Sequence, residues 1–385
     1  MEHRISLTPT TAQIECATIF VAIELSRLSW VVAIHTPLAD KIGVHKLTAG
    51  DWRALLALIA RHRAKAERAL GAPLDVVSCY EAGYDGFWLH RLLLANGVRN
   101  HVIDPASLQV NRRARRAKTD RVDATGLLRA LMAWCRGERQ VCAMVRAPSV
   151  EQEDAKRLHR ERQRLVKERT QHVNRITGLL AGQGIYDFQP RRAGALARLG
   201  KLTTGDGRPL PERLRREIER QLQRLALVQE MIAELEAERD AVLVAPAAEP
   251  AAHKMQHLAK LKSIGPETAT VLGREIFYRG YDTRRQIGAY AGLAPSPFNS
   301  GRMVRDQGIA KAGNRRARTT MIELAWLWLR YQPDSALSQW FRERVGGAKG
   351  RLKRIMIVAL ARKLLVALWR YLETGLVPTG AVLKV

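Results

Sequence analysis

Four acidic residues, Glu24, Glu81, Asp120 and Asp123, stand in a chain that otherwise carries a large excess of positive charge. Glu24 and Glu81 each close a short apolar run, and the two aspartates are three apart in a polar stretch. Residues of this type suit phosphodiester chemistry. Cleaving such a bond at neutral pH requires charge stabilisation on the attacked phosphate, the nucleophile and the leaving oxygen, and two Mg²⁺ or Mn²⁺ ions about 4 Å apart, held by three or four carboxylates, supply it. A single Asp-x-x-Asp is explained as well by helix capping or solvated charge. The order carries more: a strand-end acid, a second strand-end acid, then an acid pair on one helix face.

The elements that would position these acids are legible around them. Residues 19–23 and 30–34 read as two apolar strands joined by a polar turn, with Glu24 at the end of the first. Residues 51–70 have helical spacing, with Trp52, Leu55, Leu56 and Ile59 on one side. A strand at 75–80 ends at Glu81, a helix is expected over 84–96, and a short strand at 99–103 closes at Asp104-Pro105. This alternation predicts an α/β domain with a mixed sheet. The pattern from Asp123 onward is helical, which puts Asp120 and Asp123 on a shared face near a first turn.

The 385 residues include 64 Lys plus Arg against 37 Asp plus Glu, a formal charge of +27. That length suits two or three domains, and that charge attracts polyanions, so a nucleic acid is the expected partner, bound with salt-sensitive affinity. A membrane is not an expected partner. The most apolar span, 355–369, is interrupted by Arg362 and Lys363, a costly pair at a bilayer centre, and reads as an amphipathic or buried helix. The N-terminal stretch has no basic segment followed by an unbroken apolar run, so the cytoplasm is the expected compartment. Cys16, Cys79, Cys135 and Cys142 show no C-x-x-C spacing and are expected as reduced thiols. His253 and His257 could share a helix face, yet no further ligand follows at zinc spacing.

Beyond residue 149, two charged stretches with regularly spaced apolar residues, 149–180 and 211–243, are expected as long helices in an antiparallel coiled pair, or as two separate amphipathic helices. The Pro- and Ala-rich 245–252 marks a boundary. The run that follows fits a helix, a turn at Ile264-Gly265-Pro266 and a second helix, a hairpin suited to phosphate binding. A Gly-, Ser- and Arg-rich loop is expected over 292–316, then helices at 318–330 and 353–372. The predicted domains are therefore 15–148, 149–245 and 253–375.

The runs VAIELSRLSWVVA, CYEAGYDGFWLHRLL and VNRRARRAKTDRVDATGLLRAL resemble the three acidic motifs of the insertion-sequence one-ten family of DEDD transposases. LKSIGPETATVLGREI and IGAYAGLAPSPFNSGRMVRDQGIAKAGNRRAR resemble that family's C-terminal transposase domain. The likeness runs from about residue 18 to about residue 330, with five motifs in order. It implies a RuvC-like (RNase H-like) α/β N-terminal domain, a central helical coiled-coil segment and a mostly α-helical C-terminal domain with a helix-hairpin-helix-like element. It further implies a bacterial enzyme that recombines donor and target DNA under the direction of a bridge RNA, as a homodimer or tetramer. Glu24, Glu81, Asp120 and Asp123 would hold Mg²⁺, and Ser300 would form a covalent phosphoserine intermediate with DNA. Glu24 departs from the family pattern, in which the first acid is usually Asp.

Ser300 raises a question of its own, since a serine hydroxyl is a poor nucleophile without a base or metal and no His lies near it in sequence. Ser296 is the neighbouring candidate, disfavoured because Pro297 follows it whereas Gly301 follows Ser300. Basic residues flank both centres. Arg112, Arg113, Arg115, Arg116 and Lys118 precede the aspartates, and Arg302, Arg305, Lys311, Arg315, Arg316 and Arg318 surround the serine. These are expected to grip phosphates. No G-x-x-x-x-G-K-[ST] sequence occurs, so strand exchange would have to conserve phosphodiester energy in the intermediate. No zinc finger or helix-turn-helix motif is recognisable, which suits sequence choice by base pairing. Two other readings stay open on the residues: a RuvC-like nuclease or junction resolvase that uses metal-activated water, and a decayed transposase that only binds nucleic acid.

Overall fold

A computed structural model describes residues 18–37, 39–108, 119–247, 249–300 and 303–384. The chain divides into two compact units, Met1–Ser149 and Val150–Val385.

The first unit is built on a six-stranded mixed sheet. Its elements are β1 (Thr18–Leu25), β2 (Ser29–His35), β3 (Gly43–Thr48), α1 (Trp52–Leu70), β4 (Asp75–Glu81), α2 (Trp88–Ala95), β5 (Arg99–Ile103), α3 (Asp120–Cys135) and β6 (Met144–Val145), and the strand order is β3-β2-β1-β4-β5-β6. β1 pairs antiparallel with β2 and parallel with β4, and β4 pairs parallel with β5. Strand alternation divides the apolar residues between two faces. Ile19, Val21, Ile23, Val76 and Tyr80 pack against Leu55, Leu58 and Ile59 of α1 and Leu89 and Leu93 of α2. Ala22, Ala33, Val77 and Cys79 face Ala124, Leu127, Leu128 and Leu131 of α3. The expected mixed sheet is present, with two additions: β3 and β6 were not anticipated. The helix expected from residue 84 begins at Trp88, because residues 84–87 form a turn in which Gly86 takes a φ of 68°.

The second unit is mostly helical. It contains α4 (Val150–Asp154), α5 (Arg157–Ala181), α6 (Ala195–Leu199), α7 (Glu212–Val244), α8 (Pro250–Ala259), α9 (Pro266–Glu275), α10 (Arg284–Tyr290), β7 (Pro295–Ser300), β8 (Met303–Ile309), α11 (Arg315–Tyr331), α12 (Ala336–Val345) and α13 (Arg351–Thr374). α5 and α7 run antiparallel: Arg162 pairs with Glu236, His172 with Gln221 and Arg175 with Glu217, so partners on α7 fall as positions on α5 rise. Their apolar seam joins Ile176 and Leu180 to Ile218, Leu222 and Leu225, and the connection closes its end with Ile185, Phe188 and Leu199. The main core gathers Leu272, Ile276, Met321, Leu324, Trp328, Leu360, Leu364 and Leu368. The span 355–369 thus supplies one buried face of α13, and among the described residues no helix is long and apolar enough to cross a membrane.

The expected loop 292–316 contains a β-hairpin instead. β7 and β8 pair antiparallel, with Ser300 opposite Met303 and an irregularity between Pro295 and Pro297. The two prolines disguise β7, since Pro is poorly suited to strand interiors and is tolerated at an edge or bulge.

Candidate active site

β1 and β4 are parallel neighbours with Ile23 opposite Tyr80, so Glu24 and Glu81 are the next residues along, side by side at the carboxyl ends of both strands. Alternation sets them on the same face as Ala22 and Cys79, the face that α3 covers. The Cys79 Sγ–H approaches the Leu127 carbonyl at 3.8 Å. Trp134, near the end of α3, packs on His101 of β5 with ring centroids 5.0 Å apart. Arg99, at the start of β5, acts electrostatically on Cys135. The last turn of α3 therefore lies toward the amino ends of the strands, and its first turn is directed to the edge where Glu24 and Glu81 stand.

That first turn carries Asp120 and Asp123. They precede Ala124 and Leu127, which face the sheet, by four residues each, one helical turn, and so continue the same helix face. Thr119 is the N-cap, its Oγ1 accepting from the Val122 N–H at 3.3 Å. The cap is thus supplied by a residue other than the two aspartates. Asp120 is exposed and Asp123 half-buried.

All four groups are hard oxygen donors of the kind Mg²⁺ and Mn²⁺ accept. Topology brings them to one edge, yet among the described residues no three His, Cys, Asp or Glu side chains stand close enough together to hold a metal ion. Four carboxylates drawn tightly together would repel one another unless a cation lay between them. The donor chemistry and the shared edge fit a divalent ion, and the ligand set is open. Arg112, Arg113, Arg115, Arg116 and Lys118, expected to grip nucleic acid beside this edge, lie outside the described residues.

In the second unit Ser300 ends β7 at the tip of the hairpin, whereas Ser296 lies near its base, at the irregularity. Arg302 falls outside the described residues, and Arg305 sits opposite Phe298 in the hairpin register. Lys311 is exposed with a φ of 57°, and its carbonyl accepts from Arg318 Nη1 at 2.7 Å. Arg318 therefore has a structural task. Arg315 opens α11 and is exposed, while Arg316 donates from Nε to Gln163 Oε1 at 2.9 Å.

The base of the hairpin is pinched. The Asn314 N–H donates to the Tyr290 carbonyl at 2.7 Å, and the Ala310 N–H to the Ala294 carbonyl at 2.9 Å. Such proximity requires glycine at 313, where φ is 86° and a Cβ would lie 2.4 Å from the Tyr290 oxygen and 2.8 Å from the Ala289 oxygen. Gly313→Ala is expected to lower unfolding stability by roughly 2 kcal/mol or more, the cost of left-handed strain plus backbone overlap. Urea unfolding of the purified protein measures it.

Sequence reasoning missed one residue of this region, Glu275, at the end of α9. It is 1% exposed. Arg160 donates to both of its oxygens, from Nε to Oε1 at 2.7 Å and from Nη2 to Oε2 at 3.0 Å. His159 Nε2 meets Oε1 at 2.9 Å, and Asn314 Nδ2 donates to Oε2 at 2.9 Å. Burial pushes this carboxyl up, but the bonds from His159 and Arg160, the Arg160 charge and Asn314 outweigh it and hold the group well below the usual carboxylate range.

Comparison with known proteins identifies the family. Residues 29–184 match a family of the DEDD IS110 type described as "Transposase". Residues 255–339 match one described as "Transposase IS116/IS110/IS902 family". The chain is 49% identical over 384 residues to "Putative transposase y4rJ" of Sinorhizobium fredii, covering 98% of this chain and 97% of that one. It is 28% identical over 268 residues to the "Transposase for insertion sequence element IS1328" of Yersinia enterocolitica, covering 68% and 73%. It is also 28% identical over 290 residues to the "Transposase for insertion sequence element IS1111A" of Coxiella burnetii, covering 74% of each. With two family models matched along the chain and a relative 49% identical over nearly its full length, the chain belongs to the IS116/IS110/IS902 family of transposases.

Proposed function

We propose that this protein cuts and rejoins DNA as an RNA-guided recombinase, with chemistry divided between the carboxylates of its first unit, in a RuvC-like fold, and Ser300 of its second. The observation that carries the reading is the pairing of Glu24 with Glu81 at adjacent strand ends, on the face covered by the helix whose first turn bears Asp120 and Asp123. Glu24, Glu81, Asp120 and Asp123 would hold Mg²⁺ or Mn²⁺, which supplies charge neutralisation at the phosphate and lowers the cost of deprotonating a hydroxyl. Glu24 reaches one methylene further than the Asp usual in the family, so the other three ligands must accommodate it.

The Ser300 oxygen forms a bond to phosphorus as the phosphorus bond to a sugar oxygen breaks; the serine proton passes to solvent and the departing sugar oxygen takes one up. A sugar hydroxyl of the strand to be joined later attacks the same phosphorus, giving up its proton, and the Ser300 oxygen leaves and is reprotonated from solvent. One phosphodiester is exchanged for another, so no nucleotide hydrolysis is needed. The test is Mg²⁺-dependent formation of a protein–DNA adduct that survives denaturation, using DNA bearing the ends of the gene's own element and RNA transcribed from its non-coding flank. A protein that cleaves freely yet never forms the adduct would be a nuclease using water.

The +27 charge supports binding of both DNA and guide RNA, and guidance by RNA rests on the family likeness. Assembly as a dimer or tetramer through the central helices is supported by Leu227 and Met231, exposed four residues apart on α7, away from its buried seam. For the clamp residues, the double change Arg315→Ala and Arg316→Ala is expected to weaken DNA binding across all sequences and reduce the slope of log K against log salt by about one to two. Titrations at several salt concentrations read that slope directly.

A further inference from the structure

Among the described residues Glu275 is the most thoroughly buried carboxylate, and nothing in its own helix explains it. A negative charge on the last residue of α9 faces the unfavourable end of the helix dipole. A buried ion pair also contributes little net stability compared with apolar residues of the same volume, and the best-attested use of such groups is to fix one arrangement among several. The partners show which arrangement is fixed. His159 and Arg160 belong to the long helix α5, and Asn314 is the N-cap of α11.

Asn314 is the junction. Its Oδ1 accepts from the Ala317 N–H at 3.1 Å, its Nδ2 donates to Glu275, and its backbone N–H donates to Tyr290 at the end of α10. Tyr290 precedes β7 by five residues, and Asn314 follows β8 by five. Both legs of the hairpin therefore leave from the peptide pair that Asn314 ties together. Glu275 ties that pair in turn to α5.

We propose that Glu275, acting through Asn314, is a positioning residue that sets where the hairpin presents Ser300, without itself touching DNA. This rests on the serine reading above. A displacement of about 1 Å at a reacting atom can lower a rate about a hundredfold, so a change at this distance from the chemistry has a measurable effect.

Two variants test it. Glu275→Gln removes the charge and turns an amide N–H toward donors. Asn314→Ser keeps a good N-cap for α11 but is too short to reach Glu275. The full-length protein, saturated with element-end DNA, flank RNA and Mg²⁺, is followed for single-turnover adduct formation, and its DNA Kd is measured separately, with Ser300→Ala as the reference. Both variants are expected to slow adduct formation about ten- to a hundredfold while Kd moves less than about twofold. Amide exchange should quicken in 303–314 and stay unchanged in α13.

If Ser300→Ala still forms the adduct, the serine reading itself fails. If Ser300→Ala forms none while the folded variants react at the wild-type rate, the positioning role is wrong. Parallel loss of rate and affinity also overturns it, since that marks a general structural defect. Should Glu275→Gln not fold, Asn314→Ser decides alone.

Discussion

Ser300→Ala is expected to abolish the covalent protein–DNA adduct and strand exchange, at least about a thousandfold below wild type, while DNA binding is retained. Removing a nucleophile leaves only the catalysis that binding and charge stabilisation provide, and losses of this size or larger are the rule. The fold should not obscure the result. Ser300 is the last residue of β7, opposite Met303, and alanine accepts strand geometry, so the hairpin register is preserved. Ser296 provides the internal control, because it lies at the irregular base of the same strand. Ser296→Ala should form the adduct at close to the wild-type rate. Denaturing gels with labelled DNA score both variants. Cleavage by Ser300→Ala at the wild-type rate, with no adduct and no rejoining, would establish a water nucleophile and return the protein to the class of metal-dependent nucleases, and unimpaired strand exchange by the same variant would overturn the serine mechanism outright.

What was legible in the sequence followed local periodicity. The helices α5 and α7 were visible because Leu165, Ile176, Ile218, Leu222, Leu225 and Ile232 recur at helical spacing, and the structure buries these residues; that the two helices pair antiparallel is a tertiary fact that periodicity left open. Glu24 and Glu81 were recognisable as strand ends, since each closes a run of strand-forming residues. That they are neighbours depends on β1 and β4 being adjacent and parallel, a tertiary fact that neither run contains. β3 escaped notice because its residues are only partly buried, and its sequence, GVHKLT, lacks the apolar run of a central strand. β7 escaped because its prolines read as loop.

Glu275 was the largest omission in the second unit, and no local signal could have found it. It lies in the run GREI, which reads as an ordinary helical acid beside a base. Its burial comes from partners 115 and 116 residues earlier and 39 residues later in the chain. A polar group of this kind becomes conspicuous only when its exposure is known. A charge in sequence is normally solvated, and a sealed carboxylate holding four donors is not.

Asp123 separates the catalytic reading from the capping one more cleanly than the other three acids. In the capping reading its carboxylate serves the start of α3, and Asp123→Asn should lower stability and leave the chemistry alone. The structure assigns the cap to Thr119, so the stability that Asp123 adds is limited to the interaction of one charge with the helix dipole, about 0.3–1 kcal/mol. α3 is held down independently of it by Ala124, Leu127, Leu128 and Leu131. Asp123→Asn should therefore unfold within about 1 kcal/mol of wild type and still bind DNA. Its adduct formation should fall by at least about a thousandfold, because a divalent ion contributes several kcal/mol of charge stabilisation and every 1.4 kcal/mol is about tenfold in rate. Raising Mg²⁺ or substituting Mn²⁺ should recover part of that loss, as expected when a ligand is weakened and a neutral oxygen remains. Stability lost without activity would return Asp123 to the role of a helix charge, and the carboxylate site would then have to be built from Glu24, Glu81 and Asp120 alone.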